Sequence, residues 1–483
     1  MSTSPLFNSD HAEREIEHLS GCGEHRIWTD PCGRTYDLLI PPTVYPPRED
    51  TDLLAQTLHA ERILASGKRC LEIGCGSGAL SLFAAAQGCE VTACDINPFA
   101  VACTRHQLSL HGLRGRILEG GPGPNVDGVR EQWGGDELYD VVVWNMPYIQ
   151  VKERPEQMLG PLEEAAFLDT DIVGLYDRIL AILVQGRLLS QQGVAYLLLS
   201  SLGESSTACE KAWSFGIAAT LVANYQFEDD EEIHIVKLWH PFPGQQLEVH
   251  ERLDSTNSHL LATSGEIGTS ALAFQQTAGR GQHGRSWTST PDAFMASWRV
   301  DPTLHLTSVG WHQLNIGTQL CKLLRYLNKE KTVSIQVKWP NDVYLRVSSG
   351  QRWKKIAGIL YEAVTKGEET RLVVGIGMNL KSSEDDWFGG ISQLGLSFTP
   401  LQMHVIVHAL VASSMSLPSF DGFPSERHFE MIRLFKQGVA ELGPIFYRTQ
   451  IVEGIEIERD GSARILPHNV VVEQGDDLLW SNI

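Results

Sequence analysis

The sequence predicts an α/β protein whose first part is a doubly wound sheet and whose second part is a mixed α+β domain ending in a small C-terminal β-barrel. Between residues 69 and 238, short apolar runs alternate with helical periods, which is the pattern of a parallel sheet covered by helices. A run of turn-forming residues at 240–246 interrupts this alternation. Closely spaced short apolar runs after residue 450 are typical of hairpins.

The individual elements follow from these patterns. In the first part, strands are expected at 70–73, 91–93, 139–144, 194–199 and 233–238. The acidic run at 228–232 is expected to be a solvated hairpin loop. In the second part, strands are expected at 271–275, 295–300, 335–337, 357–360 and 372–376, and a helix at 309–327. The expected domains are therefore 1–245, 246–445 and 446–483.

Composition and charge limit the classes of protein that fit. The chain has 483 residues, of which 42% are hydrophobic and 20% are charged, so it should fold into several globular domains. A net charge of -20 argues against general nucleic-acid binding. The most apolar stretch, 175–199, is broken by Arg178 and Arg187, so no membrane segment is expected. Nine cysteines without a Cys-x-x-Cys pair indicate reduced thiols and a cytoplasmic protein.

A glycine-rich turn follows the first expected strand of the sheet. Gly74, Gly76 and Gly78 lie where a backbone must turn sharply and approach a ligand. Asp95 ends the next strand, 21 positions after Gly74, where a carboxylate can accept hydrogen bonds from ribose hydroxyls. With Ala79 the pattern also fits the looser dinucleotide fingerprint, so the glycines alone leave both a nicotinamide cofactor and S-adenosyl-L-methionine open.

The strand expected at 139–144 leads into Asn145-Met146-Pro147-Tyr148, which resembles the Asn/Asp-Pro-Pro-Tyr signature of methyltransferases that modify planar nitrogen atoms. Such a nitrogen is a poor nucleophile, so a site must hold its N–H groups and aim it at the methyl donor. Met146 departs from the pattern, but it still supplies the backbone carbonyl used in the family. The resemblance implies that Asn145 is catalytic. It implies S-adenosyl-L-methionine and acceptor contacts from Glu72, Gly74, Gly76, Gly78, Asp95, Pro147 and Tyr148.

The segment 44–54 extends this resemblance to release-factor glutamine methyltransferases, in which the corresponding segment helps to cover the active site. The likeness runs over about residues 40–240 and implies a release factor as a possible methyl acceptor. The segment 171–176 lacks the glycine-rich turn expected after the signature. A silent cofactor-binding or docking module is therefore the alternative to an active methyltransferase.

A loop with three glycines and two arginines follows the strand at 271–275. The spacing of Gly279, Gly284 and Arg285 nearly matches a P-loop, but arginine replaces the required lysine, which excludes a nucleoside triphosphatase. Guanidinium groups bind phosphate oxygens in a bidentate manner, so a loop that closes over a phosphorylated intermediate fits better.

Four further motifs, at 255–257, 338–343, 355–360 and 375–380, flank this loop in a fixed order. Together they resemble biotin protein ligase across about residues 250–483. The resemblance implies that biotin's carboxylate attacks the α-phosphate of ATP to give biotinyl-adenylate and pyrophosphate. A lysine of a biotin carboxyl carrier domain then takes the biotinyl group. Trp339, within one motif, is expected in the core, and His283 is expected in the solvated loop.

Site residues follow from the resemblance to the ligase family. Two anions meet in the first step, so Arg280, Lys338 and Lys355 are the implied catalytic cations, with Mg²⁺ at Asp342. The implied biotin and ATP contacts are Ser255, Thr256, Gln276, Gly279, Arg280, Gln282, Arg285, Trp287, Asn341, Asp342, Lys355, Gly358, Gly375 and Asn379.

The sequence departs from the biotin protein ligase pattern at two places, and two alternatives to a bifunctional enzyme stay open. Many family members carry arginine where this chain has Gln282, so a weaker hold on the adenylate is expected. The residues around Phe294 also differ from the usual glycine-asparagine pair. No helix-turn-helix precedes Ser255, so DNA binding and a repressor role are not expected. The alternatives to a bifunctional enzyme are a ligase with a silent N-terminal module and a methyltransferase of biotin synthesis.

Overall fold

The computed structural model describes residues 23–123, 133–147, 149–150, 168–169, 174–203, 205–228, 230–285, 287, 292–305, 309–328, 333–383, 387–416, 426–458 and 460–483. The chain forms two compact units, Met1–His240 and Pro241–Ile483. Within the described residues, no helix is both long and apolar enough to cross a membrane.

The first unit contains eleven described strands and five described helices. The strands are β1 (Glu24–Thr29), β2 (Thr35–Ile40), β3 (Arg69–Ile73), β4 (Glu90–Asp95), β5 (Gly115–Glu119), β6 (Tyr139–Asn145), β7 (Ile149–Gln150), β8 (Leu168–Asp169), β9 (Leu189–Ser200), β10 (Ala218–Gln226) and β11 (Glu232–Trp239). The helices are α1 (Glu49–Ala60), α2 (Ala79–Ala86), α3 (Pro98–Leu110), α4 (Leu175–Val184) and α5 (Ala208–Ser214).

Seven of these strands form one sheet in the order β10-β11-β9-β6-β3-β4-β5. The strands from β9 to β5 are parallel, and β11 runs antiparallel to both of its neighbours. The strand order reverses between β3 and β6, which is the switch point where ligands bind in open α/β sheets. The predicted doubly wound sheet is confirmed.

The apolar runs form this sheet because their side chains are buried on both faces. Leu71, Ala93 and Val141 are fully buried, as continuous apolar strands between two helical layers require. β10 and β11 pair antiparallel as a hairpin at the acidic run, with Glu228 and Asp230 exposed between them and Glu232 already within β11.

The second unit is built on another seven-stranded sheet. Its strands are β12 (Leu247–Leu253), β13 (Ser270–Gln276), β14 (Phe294–Val300), β15 (Ser334–Lys338), β16 (Asp342–Arg346), β17 (Lys354–Lys366) and β18 (Glu369–Met378). Its described helices are α6 (Thr256–Ala262), α7 (Pro302–His305), α8 (Val309–Leu327), α9 (Pro400–Met415) and α10 (Glu426–Leu442).

The order of this sheet is β12-β13-β14-β18-β17-β16-β15. The β12–β13 pair is parallel and the other pairs are antiparallel, which confirms the predicted mixed sheet. Helix α8 covers one face, where Gly317 lies against Val337 and Ile359. Because side chains alternate along a strand, Gly358 points to the opposite face, where the cleft described below lies.

Two small antiparallel sheets follow α10. Their strands are β19 (Ile445–Tyr447), β20 (Gln450–Val452), β21 (Gly454–Ile457), β22 (Ala463–Leu466), β23 (Val470–Val472) and β24 (Leu478–Trp480). The first sheet has the order β20-β19-β24 and the second has the order β21-β22-β23. Buried Ile455, Ile465 and Trp480 give this region a small apolar interior.

Candidate active sites

The glycine turn of the first unit joins β3 to α2 at the switch point. Gly74, Gly76 and Gly78 have φ values of 69°, 48° and 84°, in the left-handed region that favours glycine. Gly78 is also crowded, because an added Cβ would lie 2.9 Å from the Thr104 hydroxyl oxygen. The turn therefore needs glycine at these positions, and it leads directly into the first turn of α2.

Asp95, at the carboxyl end of β4, is tied to this turn. One of its oxygens accepts a hydrogen bond from the Gly76 N–H at 2.9 Å, and the other accepts one from the Asn97 N–H at 2.9 Å. Burial raises the pKa of the Asp95 carboxyl, although both hydrogen bonds oppose that shift. Each carboxylate oxygen can accept more than one hydrogen bond, so Asp95 retains capacity for a bound hydroxyl.

Glu72 lies within β3, immediately before the turn, and is only 6% exposed. The Ser81 hydroxyl donates a hydrogen bond to its carboxyl group. Burial raises the pKa of Glu72 to about 8. The group is therefore largely protonated at neutral pH, and a protonated carboxyl can donate as well as accept a hydrogen bond.

Asn145 ends β6, beside the glycine turn. Its Nδ2 donates a hydrogen bond to Asp50 Oδ2 at 2.8 Å, and the Tyr45 hydroxyl donates to the same oxygen at 2.9 Å. An ionised carboxylate can only accept, so the amide nitrogen of Asn145 must face Asp50. This arrangement leaves Asn145 Oδ1 to accept a hydrogen bond from a ligand.

The segment predicted to cover the site lies close to the glycine turn. An added Cβ on Gly76 would lie 3.4 Å from the Tyr45 carbonyl oxygen. Met146 is buried, and its N–H donates to the Leu198 carbonyl at 3.3 Å, while Pro147 is half-buried. Tyr148, the last residue of the predicted signature, lies outside the described residues.

The second unit has an open cleft on the sheet face opposite α8. Most of the predicted ligase-site residues line it: Ser255, Thr256, Gln276, Arg280, Gln282, Arg285, Trp287, Asn341, Asp342, Lys355, Gly358 and Gly375. Motifs separated by more than a hundred residues therefore meet at one surface.

Three predicted residues do not line this cleft. Gly279 closes the base of the loop, because its carbonyl accepts the Trp287 N–H at 2.9 Å. Asn379 is 1% exposed, and its N–H donates to the Ile356 carbonyl at 2.8 Å. The Lys338 ammonium lies 6.0 Å from the centroid of the Tyr344 ring, and burial lowers its pKa.

The two loop arginines are each paired with a carboxylate. Arg280 donates to Glu362 Oε1 at 3.0 Å. Arg285 forms a bidentate pair with Asp476, both distances being 3.1 Å. More than half of each arginine side chain is exposed, so these pairs contribute little stability and can be exchanged for a phosphate. The side chain of His283, in the same loop, lies outside the described residues.

A network of hydrogen-bonded polar groups lies beneath the first residues of α6. The Gln276 side-chain carbonyl accepts the Thr256 N–H at 2.9 Å. The Ser297 hydroxyl lies 2.7 Å from Thr256 Oγ1 and 2.6 Å from Asn257 Oδ1. These contacts hold Thr256 and Gln276 in place at one end of the cleft. Ser255, which caps α6, lines the same end.

The network continues to a residue that sequence reasoning missed. Asn257 Nδ2 donates to Glu362 Oε2 at 2.8 Å, and the other Glu362 oxygen accepts from Arg280. Glu362 therefore connects the polar end of the cleft to the glycine loop. Glu362 lies outside the motifs recognised in the sequence, so only its even spacing from Gly358 along β17 could have suggested it.

The central charge pair of the cleft is Lys355 with Asp342. The Lys355 ammonium lies 2.7 Å from Asp342 Oδ1, and each side chain is only about one fifth exposed, at 23% and 19%. The neighbouring Asn341 is anchored, because its Nδ2 donates to the Ile359 carbonyl at 2.8 Å. Strands β16 and β17 hold a cation and a carboxylate side by side within reach of a ligand.

Trp287 covers the floor of the cleft beside this pair. Gly358 and Gly377 lie directly opposite each other on β17 and β18. A Cβ added to Gly358 would lie 3.2 Å from the Trp287 indole, and a Cβ added to Gly377 would lie 2.8 Å from the same ring. The Lys355 ammonium is 5.3 Å from the centroid of the Trp287 ring, close enough for a cation–π interaction.

Trp339 belongs to the core, as predicted. It is 1% exposed, and its Nε1 donates to the Gly461 carbonyl at 3.0 Å. This bond places the loop between β15 and β16 against the C-terminal sheets, so Trp339 has a structural role.

Comparisons with known families agree with the motifs in both units. Residues 249–379 match the model of the biotin/lipoate A/B protein ligase family, and residues 48–166 match the methyltransferase small domain.

Individual relatives match parts of the chain. The bifunctional ligase/repressor BirA of Escherichia coli strain K12 is 36% identical over 143 residues, which are 28% of this chain and 41% of that protein. The ribosomal RNA small subunit methyltransferase C of Chromohalobacter salexigens is 33% identical over 85 residues, 18% of this chain and 23% of that protein. The chain thus spans less than half of either relative. The biotin protein ligase of Aquifex aeolicus in complex with biotin and ATP aligns at 21% identity with a TM-score of 0.35, covering 49% of this chain and 96% of that one.

Proposed function

Because the chain joins an N-terminal methyltransferase small domain to a C-terminal biotin protein ligase domain, we propose that it is a bifunctional enzyme. Its C-terminal unit is an ATP-dependent biotin protein ligase, and its N-terminal unit is an S-adenosyl-L-methionine-dependent N-methyltransferase. The observation that carries the ligase proposal is the pairing of Lys355 with Asp342 in a cleft that also contains the two loop arginines.

The first ligase step joins biotin to AMP. A carboxylate oxygen of biotin attacks the α-phosphorus of ATP, and the bond from that phosphorus to the bridging oxygen breaks to release pyrophosphate. Both reactants are anions, so cations must lie where they meet. Lys355 would touch the biotin carboxylate or the α-phosphate, and Arg280 and Arg285 would bind phosphate oxygens after they leave Glu362 and Asp476.

A magnesium ion fits the chemistry of the same cleft. Asp342 offers a hard carboxylate oxygen, and Mg²⁺ is commonly held by one carboxylate together with substrate phosphates. The ion would neutralise charge on the phosphates of ATP. Asp342 would then exchange part of its contact with Lys355 for the ion, which frees the ammonium for the substrate.

Biotin's ring would bind at the polar end of the cleft. Ser255, Thr256 and Gln276 offer donors and acceptors of the kind that a ureido group needs, and hydrogen bonds fix the positions of Thr256 and Gln276. Gly358 makes room for the Trp287 indole and Gly375 for the Asn257 side chain, which an added Cβ at either position would crowd. Trp287 excludes water from the reactive acyl phosphate.

The second ligase step transfers biotin to a protein. The ε-amine of a lysine in a biotin carboxyl carrier domain attacks the acyl carbon, and AMP leaves with the electrons of the broken acyl–oxygen bond. Gln282 provides no charge for the adenylate where many family members have arginine. We therefore propose that this chain holds its intermediate less tightly.

In the N-terminal unit, the glycine turn and Asp95 would hold S-adenosyl-L-methionine, the methyl donor. Asn145 Oδ1 would accept an N–H of the acceptor and aim its nitrogen at the methyl group. The observation that supports this role is the hydrogen bond from Asn145 Nδ2 to Asp50, which points the amide oxygen away from Asp50. The acceptor is a planar nitrogen, for example a glutamine amide of a release factor.

Calorimetry on the full-length protein tests both proposals. The sample is titrated with S-adenosyl-L-methionine and then with biotin, in the presence and absence of ATP. Binding of both ligands is expected, and failure to bind biotin with ATP would contradict the ligase proposal. Met146, where the family has proline, favours a second candidate in which the N-terminal unit is a silent docking module. Binding of biotin without binding of S-adenosyl-L-methionine would support that candidate.

A further inference from the structure

A cluster of three potential metal ligands lies outside the proposed ligase cleft. Glu248 and His250 are two residues apart on the edge strand β12, so both side chains point to the same side of the strand. His259 comes from α6, which begins at the cleft. Strand and helix thus bring one carboxylate and two imidazoles together.

The ligand atoms of this cluster converge. His259 Nε2 lies 2.6 Å from Glu248 Oε2, and His250 Nε2 lies 3.5 Å from the same oxygen. One ligand atom from each of the three residues lies within 4.8 Å of the other two. In a tetrahedral zinc site with bonds of about 2.0–2.1 Å, neighbouring ligand atoms are roughly 3.3 Å apart. Small side-chain rotations would therefore bring all three atoms into a shared coordination shell.

The surroundings of His250 Nε2 and Glu248 Oε2 favour a metal ion bound between these atoms. The His250 Nε2 atom is shielded from solvent, and its ion-pair partner Glu248 Oε2, at 3.5 Å, makes no well-aligned hydrogen bond with it. Glu248 Oε2 lies between the two imidazoles, 2.6 Å from His259 Nε2 and 3.5 Å from His250 Nε2. The cluster thus offers two imidazole nitrogens and a carboxylate oxygen directed at the same point.

We propose that Glu248, His250 and His259 bind one divalent transition-metal ion of the zinc class, with water as the fourth ligand. Two imidazoles and a carboxylate favour zinc and its neighbours over magnesium, which prefers oxygen ligands. This site is therefore chemically distinct from the proposed magnesium position at Asp342.

The ion would stabilise the region that presents the biotin pocket. It would connect β12, an edge strand paired only to β13 in its sheet, to α6, whose first residues Ser255 and Thr256 line the cleft. A metal that binds only the folded state stabilises that state. The role proposed for the ion is structural, and it does not depend on the ligase assignment.

Zinc titration of the full-length protein tests the proposal. After treatment with a chelator, the wild type is expected to bind zinc at this site with an increase in melting temperature. His250→Gln and His259→Gln should each weaken this binding by more than about tenfold, since loss of an outer-shell partner alone typically costs about 10–100-fold. His106→Gln is the matched control, because His106 is exposed on α3 and remote in sequence from the cluster. Equal zinc binding in the wild type and in both cluster variants would overturn the proposal.

X-ray absorption spectroscopy of the zinc-loaded wild type tests the proposed zinc site without any substitution. The expected first shell has two imidazole nitrogens with oxygen ligands and no sulfur. Zinc–sulfur distances of about 2.3 Å would show that free thiols hold the ion instead and would overturn the proposal. Circular dichroism of each variant distinguishes loss of the site from loss of the fold.

Discussion

The Lys355 ammonium lies 2.7 Å from Asp342 Oδ1, across neighbouring strands of the second sheet. Because both side chains are mostly buried, the pair is less screened by water than the surface pairs of the loop arginines. The cleft therefore contains a preorganised cation, and in the proposed ligase reaction a metal ion and the substrate would replace part of its contact with Asp342.

Lys355→Ala should abolish formation of biotinyl-adenylate. The substitution removes the cation from the point where two anions react, so we expect a loss of at least about a hundredfold in turnover. Biotin-dependent release of pyrophosphate measures the effect. Lys366→Ala is the matched control, because Lys366 is exposed at the far end of the same strand and should leave the rate unchanged. If binding of S-adenosyl-L-methionine were lost as well, the two units would not be independent.

Asn145→Ala should remove methyl transfer while sparing the affinity for S-adenosyl-L-methionine. We expect a loss of at least about a hundredfold, because the amide oxygen that aims the acceptor is gone. Calorimetry measures cofactor affinity, and transfer of a labelled methyl group to a release factor carrying a glutamine acceptor measures the rate. An unchanged rate on an acceptor that the wild type methylates would rule out the proposed role of Asn145.

Asp50→Asn should lower methyl transfer by about tenfold to a hundredfold through misplacement of Asn145. An amide at position 50 can present a donor to Asn145, so the orientation of Asn145 is no longer defined. Glu49→Gln is the control, because Glu49 is exposed in the same helical turn. Equal rates for the two variants would show that the contact between Asp50 and Asn145 is only structural.

The raised pKa of Glu72 predicts a pH-dependent stability of the first unit. Since this pKa is about 8 in the folded protein, against 4.5 ordinarily, the folded state holds the proton over a range in which the unfolded chain has lost it. The contribution of Glu72 to the free energy of unfolding therefore falls as pH rises from about 4.5 to about 8, and it levels off above that.

Glu72→Gln keeps this position neutral and tests the effect by calorimetry of the full-length protein. The variant should gain melting temperature relative to the wild type between pH 5 and pH 8. Glu90→Gln, at the exposed start of β4, should show no such trend. If the difference in melting temperature between Glu72→Gln and the wild type stayed constant from pH 5 to pH 8, the raised pKa of Glu72 would be refuted.

Gly377→Ala should displace the Trp287 indole and loosen the hold on biotinyl-adenylate. An added Cβ would lie 2.8 Å from the indole, which is closer than real Cβ contacts allow. We expect the intermediate to dissociate several-fold faster, measured by rapid filtration of preformed complex. Gly454→Ala is the control, because its added methyl would meet only the Leu466 side chain, at 3.7 Å. Unchanged dissociation in Gly377→Ala would argue against Trp287 as the cover.

Much of the fold could be predicted because it is encoded locally. The helix expected at 309–327 has those bounds in the structure, and the strand runs of both sheets lie where apolar residues are continuous. β16 was missed as a strand, because its charged ends made Asp342 and its neighbours look like part of a binding loop. β12 was missed as a strand as well, since Glu248, His250 and Arg252 interrupt its apolar residues.

The sequence by itself determined the order of the motifs, the glycines that a tight turn requires and the alternation that defines each sheet. Only the tertiary structure decided which of these residues meet. Asp50 and Asn145 are 95 positions apart, and Arg285 and Asp476 are 191 positions apart. Gly358 faces Gly377 only because β17 and β18 pair in one register. Such contacts depend on strand pairing and packing across the whole unit, whereas propensity and spacing act over a few neighbouring residues.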